Sequence, residues 1–147
     1  MFLKFSGECN EAWTSFGGSQ YKICDTPTQK WIDAQKTCQN MGANLPKVET
    51  DAENTFLYNL QRNAKIQNTW MGMKRDENNL FYWFDGSSLN YTNWSPGQPD
   101  HWKGREHCAH IVISRNRKWN DVPCVWDGNA PRFICEVGMY PNLQIFA

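Results

Sequence analysis

Apolar residues recur with a helical period in two early segments and in short, strand-like runs thereafter. Over residues 26–41, Trp31, Ala34, Cys38 and Met41 fall three, four and three residues apart, the spacing of one helix face. Thr26 and Gln29 stand in the relation of a capping box, Pro27 suits a first helical turn, and Gly42 marks a stop. The pattern predicts a helix over 26–41. A second helix begins at Thr50, which forms a capping box with Glu53 and is followed by Ala52, Phe56 and Leu60 at i+4. Its pattern fades near Arg62.

The texture then changes. WMGM (70–73), FYWF (81–84), AHIVI (109–113), KWND (118–121) and RFICEV (132–137) read as short strands and their connections. Residues 85–107 are rich in Gly, Ser, Asn and Pro and show no period. A loop of that length in a compact domain is usually functional or disordered, and Tyr91, Trp94 and Trp102 argue against disorder. Two early helices followed by strands around a long loop define an α+β domain. With 147 residues and no repeat or linker, residues 1–147 are expected to form a single domain.

Composition narrows the function. Fifteen basic residues balance fifteen acidic ones, which gives no electrostatic reason to expect nucleic acid or an anionic membrane as partner. RNRK (115–118) reads as a solvated turn. No apolar run is long enough to span a membrane. The opening MFLKFSGEC is too short for a signal peptide's apolar region, so the chain is expected to be mature or truncated, or to begin on a foreign Met1. The six cysteines are widely spaced with no CxxC pair. That excludes a zinc ribbon or thioredoxin-like site and fits three disulfides in a secreted protein, although six cysteines allow about fifteen connectivities.

The chemistry concentrates in QPDHWKGREHCAHI (98–111). Gln98, Asp100 and Glu106 offer side-chain oxygens, and WND (119–121) adds Asn120 and Asp121. Three carboxylates and two amides form a hard-oxygen set of the kind that Ca²⁺ binds with about six to eight oxygen ligands. Without a cation, clustered carboxylates repel one another. Transition metals would favour imidazole or thiolate. A cis Gln98–Pro99 bond would aim the flanking side chains at one point, but QPD alone favours an ordinary trans turn. No nucleophile stands out, so catalysis is not expected.

The order of landmarks carries a resemblance. The first helix with its cysteine, WMGM, LNYTNW (89–94), QPD, EHC, WND and FICE make the chain similar to a C-type lectin domain over about residues 9–137. The resemblance implies the fold of that family: two helices, small antiparallel sheets and a long calcium-binding loop. It implies disulfides Cys38–Cys135 and Cys108–Cys124, with Cys9–Cys24 stapling an N-terminal hairpin. Members with this hairpin usually place its second cysteine nearer the first, at about Gln20 here. Calcium ligands carry over as Gln98, Asp100, Glu106, Asn120 and Asp121. Two vicinal sugar hydroxyls, the 3- and 4-hydroxyls, would complete the calcium shell.

QPD, as opposed to EPN, goes with galactose types in this family. Trp102 stands where such members carry an aromatic that packs on the apolar face of galactose. His110, in CAH, matches a histidine that lies beside the acetamido group in relatives that favour N-acetylgalactosamine. A strand-edge histidine with a structural hydrogen bond is the competing reading. Only Lys103, Gly104 and Arg105 separate Trp102 from Glu106, a shorter loop than in many galactose-type members, which implies a less fixed ring. His101 and His107 occupy positions where an auxiliary calcium site has acids, so one functional calcium is expected.

The function implied is calcium-dependent binding of galactose- or GalNAc-terminated glycans by a secreted lectin, with an innate-defence or agglutinating role. A single such site is expected to be weak, about millimolar or ~−4 kcal/mol, so multivalency would be needed. With no seventh cysteine, an oligomer would be non-covalent. The alternative is a non-sugar module of the same fold, ice-binding or protein-binding, with a structural calcium. Fish antifreeze proteins of this fold carry more than six cysteines, and a protein-binding module would be expected to lose calcium ligands. Asn90 (NYT) and Asn93 (NWS) match glycosylation sequons.

Overall fold

The computed structural model describes residue 9 and residues 11–138. Among the described residues, nine α-helices and β-strands follow one another: β1 (Thr14–Phe16), β2 (Ser19–Cys24), α1 (Trp31–Asn40), α2 (Asp51–Asn63), β3 (Asn68–Arg75), β4 (Phe81–Trp83), β5 (Cys108–Val112), β6 (Lys118–Val122) and β7 (Arg132–Gly138). This is the α+β architecture the sequence predicts. The strands join into one sheet in the order β1-β2-β7-β3-β5-β6, with β4 also paired to β3. Pairings are antiparallel except β3 with β7, which run parallel at Thr69–Arg132 and Trp70–Phe133.

The central strands β3 and β5 are buried on both faces, which is why β3 reads as an apolar run without alternation. Trp70, Cys108, Phe133 and Cys135 pack with α1 residues Trp31, Ala34 and Cys38 on one side. Met71, Met73, Ala109, Ile111, Trp119 and Ile134 pack with Leu57 of α2 on the other. Cys38–Cys135 ties α1 to β7, Cys108–Cys124 ties β5 to the segment after β6, and Cys9–Cys24 closes the N-terminal hairpin. By loop-closure entropy, the Cys38–Cys135 link, 97 residues apart, contributes up to about 4.7 kcal/mol. None of the described helices is long and apolar enough to cross a membrane.

α2 begins as expected: Thr50 Oγ1 accepts from the Glu53 N–H at 3.1 Å. α1 does not. It starts at Trp31 with Lys30 as N-cap, because tertiary pairing claims the backbone of 26–30. Thr28 donates to Pro131 O, Trp126 donates to Gln29 O and Trp31 donates to Cys124 O, at 2.9, 2.7 and 2.9 Å. Those bonds outweigh a local cap worth about 1 kcal/mol. The buried face of α2 also differs from its apolar spacing. Asn54, Leu57 and Gln61 are buried, whereas Phe56 and Leu60 are half-buried.

The two buried amides explain that shift. Asn54 Oδ1 accepts from Trp119 Nε1 at 2.7 Å, and its Nδ2 donates to Arg117 O at 3.0 Å. Gln61 donates to Gln67 O and Ile111 O and accepts from Thr69 Oγ1. They fasten α2 to the β5–β6 hairpin. The same hairpin anchors the long loop: Trp119 N–H donates to Asn93 O and Ser95 N–H to Trp119 O, both at 2.8 Å. Asn93 is held at both ends of its amide, donating to Arg117 O and accepting from Lys118 Nζ. Asn90 is exposed. Asn54→Ala should cost about 1–3 kcal/mol, because it leaves Trp119 Nε1 buried without a partner and removes one of the two amides that donate to Arg117 O. Urea unfolding of the two proteins measures this, and a loss below a few tenths of a kcal/mol would contradict the role assigned to Asn54.

Candidate cation and ligand site

β6 brings Asp121 to the sheet's inner face opposite Ala109, where it is 0% exposed. The long loop turns back on it. Gln98 N–H donates to Ser95 O at 2.9 Å, and the Gln98–Pro99 bond is cis, not trans as QPD alone suggests. The chain reverses between that anchor and Asp121, a tight turn of the kind in which cis X-Pro bonds are found. Beyond the proline, Asp100 N–H donates to Asp121 Oδ1 at 3.2 Å, and His101 N–H donates to Oδ2 at 2.8 Å. The next turn places His101, Lys103 and Gly104 at positive φ. It closes with Trp102 N–H donating to Glu106 Oε1 at 3.0 Å.

Carboxylate oxygens of Asp100, Glu106 and Asp121 thereby come within 4.8 Å of one another. Three of the five ligands expected from the sequence are thus gathered. Gln98 lies two residues before Asp100, and its Oε1 is buried with no hydrogen-bond partner among the described residues. Asn120 is half-buried on β6 beside Asp121, opposite His110 across the β5–β6 ladder. A bare buried amide oxygen and three converging carboxylates suit a hard divalent cation such as Ca²⁺. Gln98, Asp100, Glu106, Asn120 and Asp121 would supply its oxygens.

Electrostatics agree. Burial, then the hydrogen bond shared with Asp100, push Glu106 up to about 7. Burial and neighbouring carboxylates both disfavour its charge, and a bound cation would offset both. Asp121 carries a further partner that the sequence reading missed: Arg75 Nη2 donates to its Oδ2 at 2.7 Å. The one visible signal was a charge ending the apolar run WMGMKR, and nothing local says that it turns inward.

The two candidate ligand-contact residues outside the acidic set differ. Trp102 is 58% exposed, with the Lys103 ammonium 4.4 Å from its ring centroid. His110 is 3% exposed, so it does not stand on the open surface that an acetamido contact requires. Trp126 lies on it, ring centroids 5.5 Å apart. Neither ring nitrogen has a partner among the described residues, so the structural hydrogen bond of the competing reading is not found either. Burial pushes the imidazole down to about 3, which keeps it neutral.

The sequence profile of the Lectin C-type domain family matches residues 27–137. The chain belongs to the C-type lectin domain family. It is 33% identical over 136 residues to a C-type lectin of Micrurus corallinus, spanning 84% of each chain. The solved structure of the C-type lectin CEL-I from Cucumaria echinata superposes with a TM-score of 0.78 at 25% identity, covering 87% of this chain and 96% of that one. Herring type II antifreeze protein superposes at 0.75 with 28% identity, covering 90% and 100%. The family consists of non-enzymatic binding proteins whose domains generally bind Ca²⁺.

A cation that binds the ionised carboxylates must displace the proton held at Glu106. Calcium affinity should therefore fall as pH drops through about 7, by up to about tenfold per pH unit below that point. Calorimetric calcium titrations at about pH 8 and about pH 6 test this linkage. Equal affinities would show that Glu106 is not a ligand.

Proposed function

We propose that this domain is a secreted, calcium-dependent lectin for galactose-type sugars. The observation that carries the proposal is the exposed Trp102 ring beside the Asp100–Glu106–Asp121 cluster, joined to it by the Trp102 N–H···Glu106 bond. Ca²⁺ would accept two vicinal sugar hydroxyls as ligands. The surrounding groups then fix orientation: each hydroxyl can donate to a carboxylate and accept from an amide N–H. In QPD the amide precedes the acid, the order that goes with galactose types in this family, whose 4-hydroxyl is axial. With that hydroxyl held, the C–H face of the sugar can pack on Trp102.

GalNAc is included as a ligand through its shared 3- and 4-hydroxyls. Because His110 is buried, no preference of GalNAc over galactose is assigned to it. The second reading is a non-sugar module of the same fold, and the likeness to an antifreeze protein keeps it in the test.

Retention on immobilised galactose in calcium, release by EDTA, and competition by galactose and GalNAc ahead of mannose are expected. Calcium binding without retention on galactose or mannose would favour the non-sugar module. Trp102→Ala should weaken galactose binding by about tenfold or less, ~1 kcal/mol of aromatic contact, with calcium affinity unchanged. Equal loss of calcium would make Trp102 structural. Gln98→Glu with Asp100→Asn should turn competition toward mannose, and an unchanged order would sink the orientation argument.

A further inference from the structure

The site contains a cation of its own. Arg75 ends β3 with its side chain 6% exposed, and its guanidinium is engaged on every side. Nη2 donates to Asp121 Oδ2 at 2.7 Å, and Nε donates to Glu106 O at 3.0 Å. Nη1 reaches Asn79 O at 3.5 Å, and the guanidinium carbon lies 4.5 Å from the Phe81 ring centroid. The Arg75 backbone N–H donates to His107 O at 2.8 Å. One residue thus joins the buried acid of β6, the main chain at the acid Glu106, and the β3–β4 turn.

We propose that Arg75 is the positioning residue of the cation site: it holds Asp121 and the Glu106 main chain in the arrangement a divalent cation requires, before the cation arrives. This inference rests on the calcium reading above. Its charge fits that role. Three carboxylates converge; one guanidinium and one divalent cation together neutralise them. Its bonds leave room for the metal as well. A carboxylate has about four lone-pair positions. Asp100 N–H, His101 N–H and Arg75 take three on Asp121, which leaves one for a metal. The planar fork matters too: the two short bonds leave from different nitrogens toward different segments, which the single nitrogen of a lysine cannot reproduce.

Three measurements on the full chain separate positioning from mere structural support. Calcium is titrated into metal-free wild type, Arg75→Met and Arg75→Lys. Hydrogen exchange over residues 98–107 is followed in EDTA. Galactose affinity is measured at saturating calcium. Arg75→Met should weaken calcium by about 10–100-fold, as loss of a partner that orients a ligand does. It should speed exchange over 98–107 in the metal-free state and recover wild-type galactose affinity once calcium saturates. Arg75→Lys, which keeps the charge but not the fork, should fall between.

An Arg75→Met protein with a lower melting temperature but wild-type calcium affinity and exchange would overturn the proposal. So would tighter calcium binding, which would make Arg75 a competitor for Asp121. If Arg75→Met does not fold, Arg75→Lys decides: affinity and exchange equal to wild type contradict the proposal. Wild type that takes up no calcium would instead contradict the calcium reading, and this inference with it.

Discussion

The Asp121 carboxylate is the point on which the site depends. An ionised group at 0% exposure is unfavourable by several kcal/mol unless it is paired and hydrogen-bonded. Here the partners come from two directions. Two backbone amides arrive from the loop and a guanidinium from the sheet. Satisfying that one carboxylate fixes where the loop returns, and so where Asp100 and Glu106 stand. The loop's chemistry is therefore set from beneath, by the buried face of β6 that carries Trp119 and Asp121.

The supporting layers follow from the same need. Trp119, the residue before the site's Asn120 and Asp121, is gripped by Asn54 from α2 and bonded to the loop at Asn93 and Ser95. The Cys108–Cys124 disulfide closes the β5–β6 hairpin at the same end as the site. Rigid elements beneath and a bonded loop above are what a shallow sugar site requires, since weak ligands cannot offset the cost of ordering a loose one.

Much of this was legible in the chain. The Thr50 cap, the strand runs and the α+β class follow from local pattern. The acidic cluster of Asp100, Glu106 and Asp121 was singled out by its chemistry, and the disulfides by the family resemblance. What was not legible required knowing the neighbours. The start of α1 is decided by Pro131 and the Cys124–Trp126 segment, about a hundred residues away in sequence. Asn54 and Gln61 look like surface amides until β6 and β5 supply their partners. Arg75 looks like a strand-end charge until it meets Asp121. His110 carries the residue type of a ligand contact, but it is buried, with the Trp126 ring beside it. In each case a tertiary partner overrides a local signal.

A crystal structure of the protein grown with calcium tests whether one calcium ion and Arg75 share Asp121. One ion is expected at about 2.3–2.6 Å from oxygens of Asp100, Glu106 and Asp121, with the Gln98 amide oxygen in its shell and the Arg75 guanidinium still on Asp121. An ion bound elsewhere, or an Arg75 displaced from Asp121 by the metal, would contradict it.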